Sequence, residues 1–321
     1  MKGCPVNIAV VAHLDERGLS CCRDGLTDDI VRWRSDGTGS PEWHDSYRDC
    51  EIVFGTVPAS WLPRLTALRW LQLESTGYEY YQDSALDLDR RGIVVTNLRG
   101  QFAEPATETA LAGALGLMRG LDILSPAQRE RRWQSLEVRP GTTLLARSRA
   151  LVLGAGAIGG HVRQVLEAFG TRVQSFARSS PLAELHDLTA LDAALPDADL
   201  IISCLPSTSS TRLLFDQERL SRLSRTAILV NIGRGDLIDE EALAAALEAG
   251  DIGGCVLDVT KQEPLPSTSR LWTAPGVVLT QHTGGGHRDE LVDKAKYFLA
   301  NLERWRTGSA LIGQVDWSQG I

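Results

Sequence analysis

The sequence predicts an α/β fold of two doubly wound parallel sheets, one domain being inserted in the chain of the other. Three observations carry this. Short apolar runs alternate with stretches of helical spacing along the chain, the pattern of parallel strands joined by crossover helices. The runs fall into two sets, separated by a long helical segment. After the second set the chain closes on RDELVDKAKYFLANLERWRTG, which reads as an amphipathic helix returning to the first set. With 321 residues and 43% hydrophobic content, both domains can have real cores.

The elements follow in order. MKGCPVNIAVVAHLDERG holds one lysine and a short apolar run ending at charged residues, so it reads as a first strand (7–11) and not as a secretory leader. Further strands are expected at 51–54, 68–73 and 93–95. EPATETALAGALGLMRGLDIL, 104–124, carries Pro105 in its first turn and apolar residues at helical spacing, and predicts one helix crossing between domains. The second set of strands, 150–153, 172–176, 199–204, 227–231, 254–258 and 277–280, is longer and more continuously apolar. That is the signature of strands covered by helices on both faces. The boundaries predicted are 1–98 with 287–321 for one domain and 99–286 for the other.

Charged residues make up 23% and the net charge is −8, which argues against nucleic acid or an anionic membrane as partner. A local basic pocket for a small anion fits that balance. No apolar stretch is long enough to span a bilayer. The six cysteines (Cys4, Cys21, Cys22, Cys50, Cys204, Cys255) have no regular spacing and offer no CxxC or metal-ligand cluster. Reduced thiols in a cytoplasmic protein without a bound metal are expected.

Gly154, Gly156 and Gly159 fit G-x-G-x-x-G directly after the strand ALVL and directly before the helical HVRQVLEAFG. The first glycine permits the tight turn, the second lets a pyrophosphate approach the backbone, and the third lets helix and strand pack closely. Free N–H groups at the helix start hold phosphates. This makes 99–286 a dinucleotide-binding, Rossmann-like domain. The next strand ends in Ala177, Arg178 and Ser179, where a carboxylate would accept from a ribose 2′-hydroxyl. A guanidinium forks onto a 2′-phosphate and a serine adds a donor. NADP(H) is therefore expected as the preferred cofactor, with NAD(H) the alternative.

Three polar residues follow apolar runs in this domain: Arg234 in NIGRGDLIDEEAL, Glu263 in LDVTKQEPLP and His282 in VVLTQHTGGG. Brought to one sheet edge, they suit reduction of a keto acid. The arginine offers a planar fork to negative oxygens, the histidine moves a proton, and the carboxylate orients and tunes the histidine.

The segments GAGAIGG, CLPSTSSTRLL, LVNIGRGDLIDEEALAAALEAGDIGGCVLDVTKQEPLP and SRLWTAPGVVLTQHTGG resemble the D-isomer-specific 2-hydroxyacid dehydrogenase family. They span 151–286, and the first hundred residues match more loosely. The resemblance implies two Rossmann-like domains, a cleft that closes on substrate, and a homodimer. It gives the substrate's carboxylate and carbonyl to Arg234, the paired acid to Glu263, proton donation to His282, and the nicotinamide carboxamide to Asp258. It adds Ala157, Ile158, Leu205, Pro206, Thr211, Ile232, Gly233 and Gly284 to the cofactor site. Ser75, Thr76, Gly77 and Tyr78 are expected to meet the substrate, with backbone N–H groups of that loop on its carboxylate. The activity implied is reduction of a small 2-keto acid, glyoxylate or hydroxypyruvate first, to the D-2-hydroxy acid. Oxidation of a specialised 2-hydroxy acid by the same residues and a nucleotide-sensing corepressor are the alternatives. The chain departs from the family pattern at Tyr78-Glu79, where Val-Asp is usual, at Thr260, where an aromatic is frequent, and at Gln281, where proline commonly precedes the histidine. His161 and Arg163 are expected to face solvent.

Overall fold

The computed structural model describes residues 5–34 and 41–317, so Cys4 lies outside the described residues. The chain divides into two compact units, Met1–Phe102 with His287–Ile321, and Ala103–Gly286. Both are parallel α/β sheets.

The first unit holds β1 (Asn7–Val10), β2 (Ile30–Trp33), β3 (Ile52–Phe54), β4 (Trp70–Gln72) and β5 (Val94–Thr96), in the order β2-β1-β3-β4-β5. Alternation decides the two faces, because successive side chains of a strand point oppositely. Ile8 and Val10 join Phe54 and Trp70 under the helix Glu290–Thr307, while Ala9 and Val11 join Val53, Leu71, Tyr81 and Leu88 on the other face. Phe298 of that helix stacks on Phe54 at 4.4 Å and on Trp70 at 5.5 Å between ring centroids. The strand β2 was not expected from the sequence. It is four residues long, pairs only with β1, is partly exposed throughout and carries Arg32, so it lacks the continuous apolar run of a central strand.

The second unit holds β6 (Arg149–Leu153), β7 (Arg172–Phe176), β8 (Leu200–Ser203), β9 (Ile228–Asn231), β10 (Gly254–Leu257) and β11 (Val277–Leu279). Their order is β11-β10-β9-β8-β6-β7. The chain leaves β6 to one side for β7 and crosses back to β8, making a switch point where a crevice opens at the carboxyl ends. Leu151, Ile201, Leu229 and Leu257 pack on one face with the helices Leu188–Ala194 and Glu240–Ala249. Val152, Ile202, Val230 and Val256 pack on the other with Ala103–Met118 and Ala157–Ala168.

The single helix expected at 104–124 is two, Ala103–Met118 and Leu121–Arg129. Gly120 takes φ +69° between them, a left-handed conformation that ends a helix. Apolar spacing continues across the break, so the pattern alone does not show it.

Candidate active site

Every residue assigned to the cofactor or to catalysis in the second unit lies beyond the carboxyl end of a strand, or on the helix that follows the glycine turn. Gly154 follows β6 with φ +105°, and its N–H donates to the Phe176 carbonyl at 2.8 Å. Gly156 is the N-terminal cap of the helix Ala157–Ala168, which begins with exposed Ala157 and half-buried Ile158. A Cβ on Gly159 would stand 1.9 Å from the Gly154 carbonyl oxygen, so only glycine lets helix and turn meet. A Cβ on Gly156 would meet nothing within 4 Å. The turn therefore leaves room at the helix's N-terminal amides, where phosphate oxygens are favoured by N–H donors and the helix dipole. This arrangement fits a dinucleotide.

Around the turn, Leu205 is buried and Pro206 exposed after β8. Thr211 closes that loop, its hydroxyl donating to the Pro206 carbonyl at 2.6 Å while accepting from the Thr208 N–H at 2.8 Å. Ile232 and Gly233 are buried after β9. Arg178 and Ser179 are exposed in the turn after β7. Burial pushes the neighbouring Cys204 thiol up, so it stays protonated at neutral pH.

The polar constellation sits on the last three strands. His282 Nδ1 lies 2.6 Å from Glu263 Oε2. The other carboxylate oxygen, Oε1, accepts from the Thr260 N–H at 3.0 Å, which fixes the acid's direction. Asp258 is buried, and its Oδ1 accepts from the Thr280 hydroxyl at 2.6 Å and the Gly284 N–H at 2.9 Å. Its carbonyl accepts from the His282 N–H at 2.6 Å, so the same residue anchors the histidine's backbone. Arg234 is half-buried, and its Nη1 donates to the Gly233 carbonyl at 2.8 Å. Asn231 braces this segment by donating to the Arg234 carbonyl and accepting from the Gly233 N–H.

Gln281 and His282 both have positive φ, +55° and +59°. A proline ring holds φ near −65°, so the backbone found at 281 excludes the residue that the family commonly has there. Sequence reasoning missed three of these partners: the Thr280 hydroxyl, the Thr260 amide and Asn231. All three are local, within three residues of an assigned group, but nothing in their spacing marks them.

In the first unit, the Ser75 hydroxyl donates to the Gly77 carbonyl at 2.7 Å and the Asn97 amide to the Thr76 carbonyl at 2.7 Å. Tyr78 meets Trp317 edge to face. Tyr81 belongs to the core, its hydroxyl bonded to both the N–H and the carbonyl of Val57, whereas Tyr80 is exposed. The expectation for His161 and Arg163 is corrected. His161 Nδ1 lies 3.0 Å from the Thr107 hydroxyl, and Arg163 pairs with Glu167 and Glu184 at 2.8 and 2.7 Å. A helix wheel shows the outward direction of a side chain but not the loop or helix that covers it.

Among the described residues no helix is long and apolar enough to cross a membrane, and no group of three or more His, Cys, Asp or Glu is placed to hold a metal ion. The five described cysteines are free.

Residues 111–284, more than half the chain, match the family model for the D-isomer specific 2-hydroxyacid dehydrogenase NAD binding domain. The chain belongs to the D-isomer specific 2-hydroxyacid dehydrogenase family. It is an oxidoreductase of that class, with a nicotinamide-nucleotide binding domain. It is 30% identical over 314 residues to glyoxylate/hydroxypyruvate reductase B of Erwinia tasmaniensis, covering 95% of this chain and 93% of that one. It is 28% identical over 313 residues to glyoxylate reductase of Korarchaeum cryptofilum, covering 94% and 93%. The solved D-isomer specific 2-hydroxyacid dehydrogenase of Xanthobacter autotrophicus, in complex with NADPH and MES, superposes with a TM-score of 0.82 at 26% identity, covering 99% of this chain and all of that one.

Proposed function

We propose that the protein reduces a small 2-keto acid of the glyoxylate or hydroxypyruvate kind to the D-2-hydroxy acid, with NADPH preferred over NADH. The observation that carries this is the 2.6 Å contact between His282 Nδ1 and Glu263 Oε2 beyond the ends of β10 and β11.

That contact gives Nδ1 to the carboxylate and leaves Nε2 as the imidazole atom that carries the transferable proton. Glu263 holds the ring's orientation through that contact. Arg234 binds the substrate's carboxylate and carbonyl oxygens with its planar donor fork, which a lysine cannot match. Backbone N–H groups of Ser75, Thr76, Gly77 and Tyr78 are assigned to the same carboxylate. The bound nicotinamide supplies the hydride. The glycine turn with Ala157 and Ile158 holds the pyrophosphate, and Leu205, Pro206, Thr211, Ile232, Gly233, Asp258 and Gly284 complete the dinucleotide site. Arg178 and Ser179, exposed in the turn after β7, are assigned to a ribose 2′-phosphate, and residues 177–180 contain no carboxylate to repel it.

The proposal includes a homodimer. Trp133 and Leu136 are 90% and 81% exposed, and Leu121, Ile123 and Leu144 nearby are also exposed. Apolar side chains clustered in one segment support a surface that a second copy covers.

The test is a panel of keto acids followed by loss of NADPH or NADH absorbance. Turnover of glyoxylate or hydroxypyruvate with higher kcat/KM for NADPH is expected. A clear preference for NADH rejects the role of Arg178. In His282→Ala, turnover is expected to fall by orders of magnitude with NADPH affinity retained, and near-normal turnover removes His282 from the mechanism.

A further inference from the structure

We infer that Asp236 is a positioning residue that ties the loop offered to the dinucleotide, 205–211, to the backbone that carries Arg234. The inference rests on the functional reading above, which gives that loop to the cofactor and Arg234 to the substrate.

Asp236 lies two residues beyond Arg234, in the turn Gly235–Leu237. Its carboxylate oxygen Oδ2 accepts from the Ser207 hydroxyl at 2.6 Å, and the Arg212 guanidinium stands 3.5 Å from the same oxygen. Its backbone carbonyl accepts from the Leu213 N–H at 2.8 Å. One residue therefore holds the loop at 207 and the stretch that follows it at 212 and 213. The zip continues where the Phe215 N–H donates to the Leu237 carbonyl and the Asp239 N–H to the Phe215 carbonyl, both at 3.0 Å. The loop is stiff between these points, because Thr211 closes it onto Pro206 and Thr208. Leu213 takes φ +49° at the junction, a left-handed conformation that a branched side chain adopts only when its surroundings impose it.

The other side of Asp236 is equally constrained. A Cβ on Gly235 would stand 2.0 Å from the Thr260 backbone, so the Arg234-Gly235 peptide is pressed onto the segment whose amide fixes Glu263. Asn231 holds the Arg234 carbonyl from beneath. Movement of the 205–211 loop when a dinucleotide settles against it is transmitted to Asp236 through the Ser207 hydroxyl, and from there has only Gly235 to cross to reach Arg234. A Coulombic contribution from Arg212 is minor, since that side chain is 70% exposed and the separation is long. The hydrogen bond from Ser207 is the coupling element.

The experiment is a double titration by calorimetry of the full-length protein with NADPH and oxamate, a carboxylate-bearing keto-acid analogue. In the wild type, saturating NADPH is expected to tighten oxamate binding about tenfold, and oxamate to tighten NADPH by the same factor. Asp236→Ala is expected to bring that factor to about one, with each ligand still binding alone. Asp236→Asn, which keeps an acceptor for Ser207, is expected to restore most of it. A residue that merely stabilised the turn would lower stability without moving the coupling factor. Wild-type coupling retained in Asp236→Ala overturns the proposal, as does a wild-type factor of one. If Asp236→Ala does not fold, Ser207→Ala is judged by the same criterion. Arg234→Gln, measured in parallel, tests the parent reading separately: unchanged oxamate affinity there removes Arg234 as its ligand, whatever Asp236 does.

Discussion

The glycine turn permits a test in which two neighbouring substitutions of the same kind act on different properties, one on stability and the other on cofactor affinity. In Gly159→Ala the added carbon would stand 1.9 Å from the Gly154 carbonyl oxygen, where real contacts do not fall below 3.0 Å. That oxygen belongs to backbone, held by the Gly154 N–H bond to Phe176, and cannot swing away. Turn and helix must separate by about 1 Å, at a cost of about 1–3 kcal/mol. For a unit of this size, Tm falls roughly 2–4 °C per kcal/mol. In Gly156→Ala the added methyl meets nothing within 4 Å, and φ −81° with ψ −162° suits alanine. Only the poorer helix cap counts, about 0.5 kcal/mol. Its methyl instead fills the space left for the pyrophosphate. If overpacking there costs about 1–3 kcal/mol, NADPH affinity falls about fivefold to about 150-fold. Urea denaturation of the ligand-free variants and fluorescence titration with NADPH separate the two effects. Wild-type NADPH affinity in Gly156→Ala would refute the reasoning, because the space at the turn would then not be where the pyrophosphate lies.

Other outcomes follow from the same geometry. Gln281→Pro should destabilise the protein and slow turnover, since φ +55° is closed to a pyrrolidine ring; unchanged denaturation and kcat would show that the loop rearranges freely. Glu263→Gln keeps an acceptor near His282 but removes the charge, and is expected to lower kcat by about tenfold. Saturating steady-state kinetics with glyoxylate would show it, and wild-type kcat would dismiss the pairing as catalytic. Leu136→Lys should shift the sedimentation profile toward monomer, and an unchanged profile would move the dimer interface elsewhere. Burial pushes the Cys204 and Cys255 thiols up to about 12, so at pH 8 both stay protonated and should resist a disulfide reagent until denaturant is added.

What the sequence showed and hid has a physical pattern. The four central strands of the second unit were legible because central parallel strands must be apolar on both faces, as in LIIS and ILVN. The glycine turn was legible because its glycines meet separate demands, a positive φ at Gly154, open space at Gly156 and a close approach at Gly159. The pairing of His282 with Glu263 was an expectation from resemblance, and the structure places the two in contact. By contrast, Ile30–Trp33 is an edge strand that half faces solvent, and no periodicity separates such a run from a loop. The break at Gly120 lies in a backbone torsion, which apolar spacing does not record. Thr280 and Thr260 serve the site through one hydrogen bond each and Asn231 through two, and their identities are common enough to pass unnoticed. Asp236 stood two residues from an assigned arginine, but its partner Ser207 is 29 residues away and meets it only once the sheet has formed.

The divided first unit has a consequence for how the chain is made. Its strands β1, β3 and β4 emerge early in synthesis, but the rings of Phe54 and Trp70 are covered by Phe298, near the end. Ala103–Gly286 is continuous and can fold as soon as it leaves the ribosome, whereas the earlier strands must wait, with one face open, for nearly two hundred residues more. During that wait the nascent chain depends on chaperones or on speed to escape aggregation. A stop codon before the last helix would leave that face bare while sparing the contiguous segment that contains Arg234, Glu263 and His282.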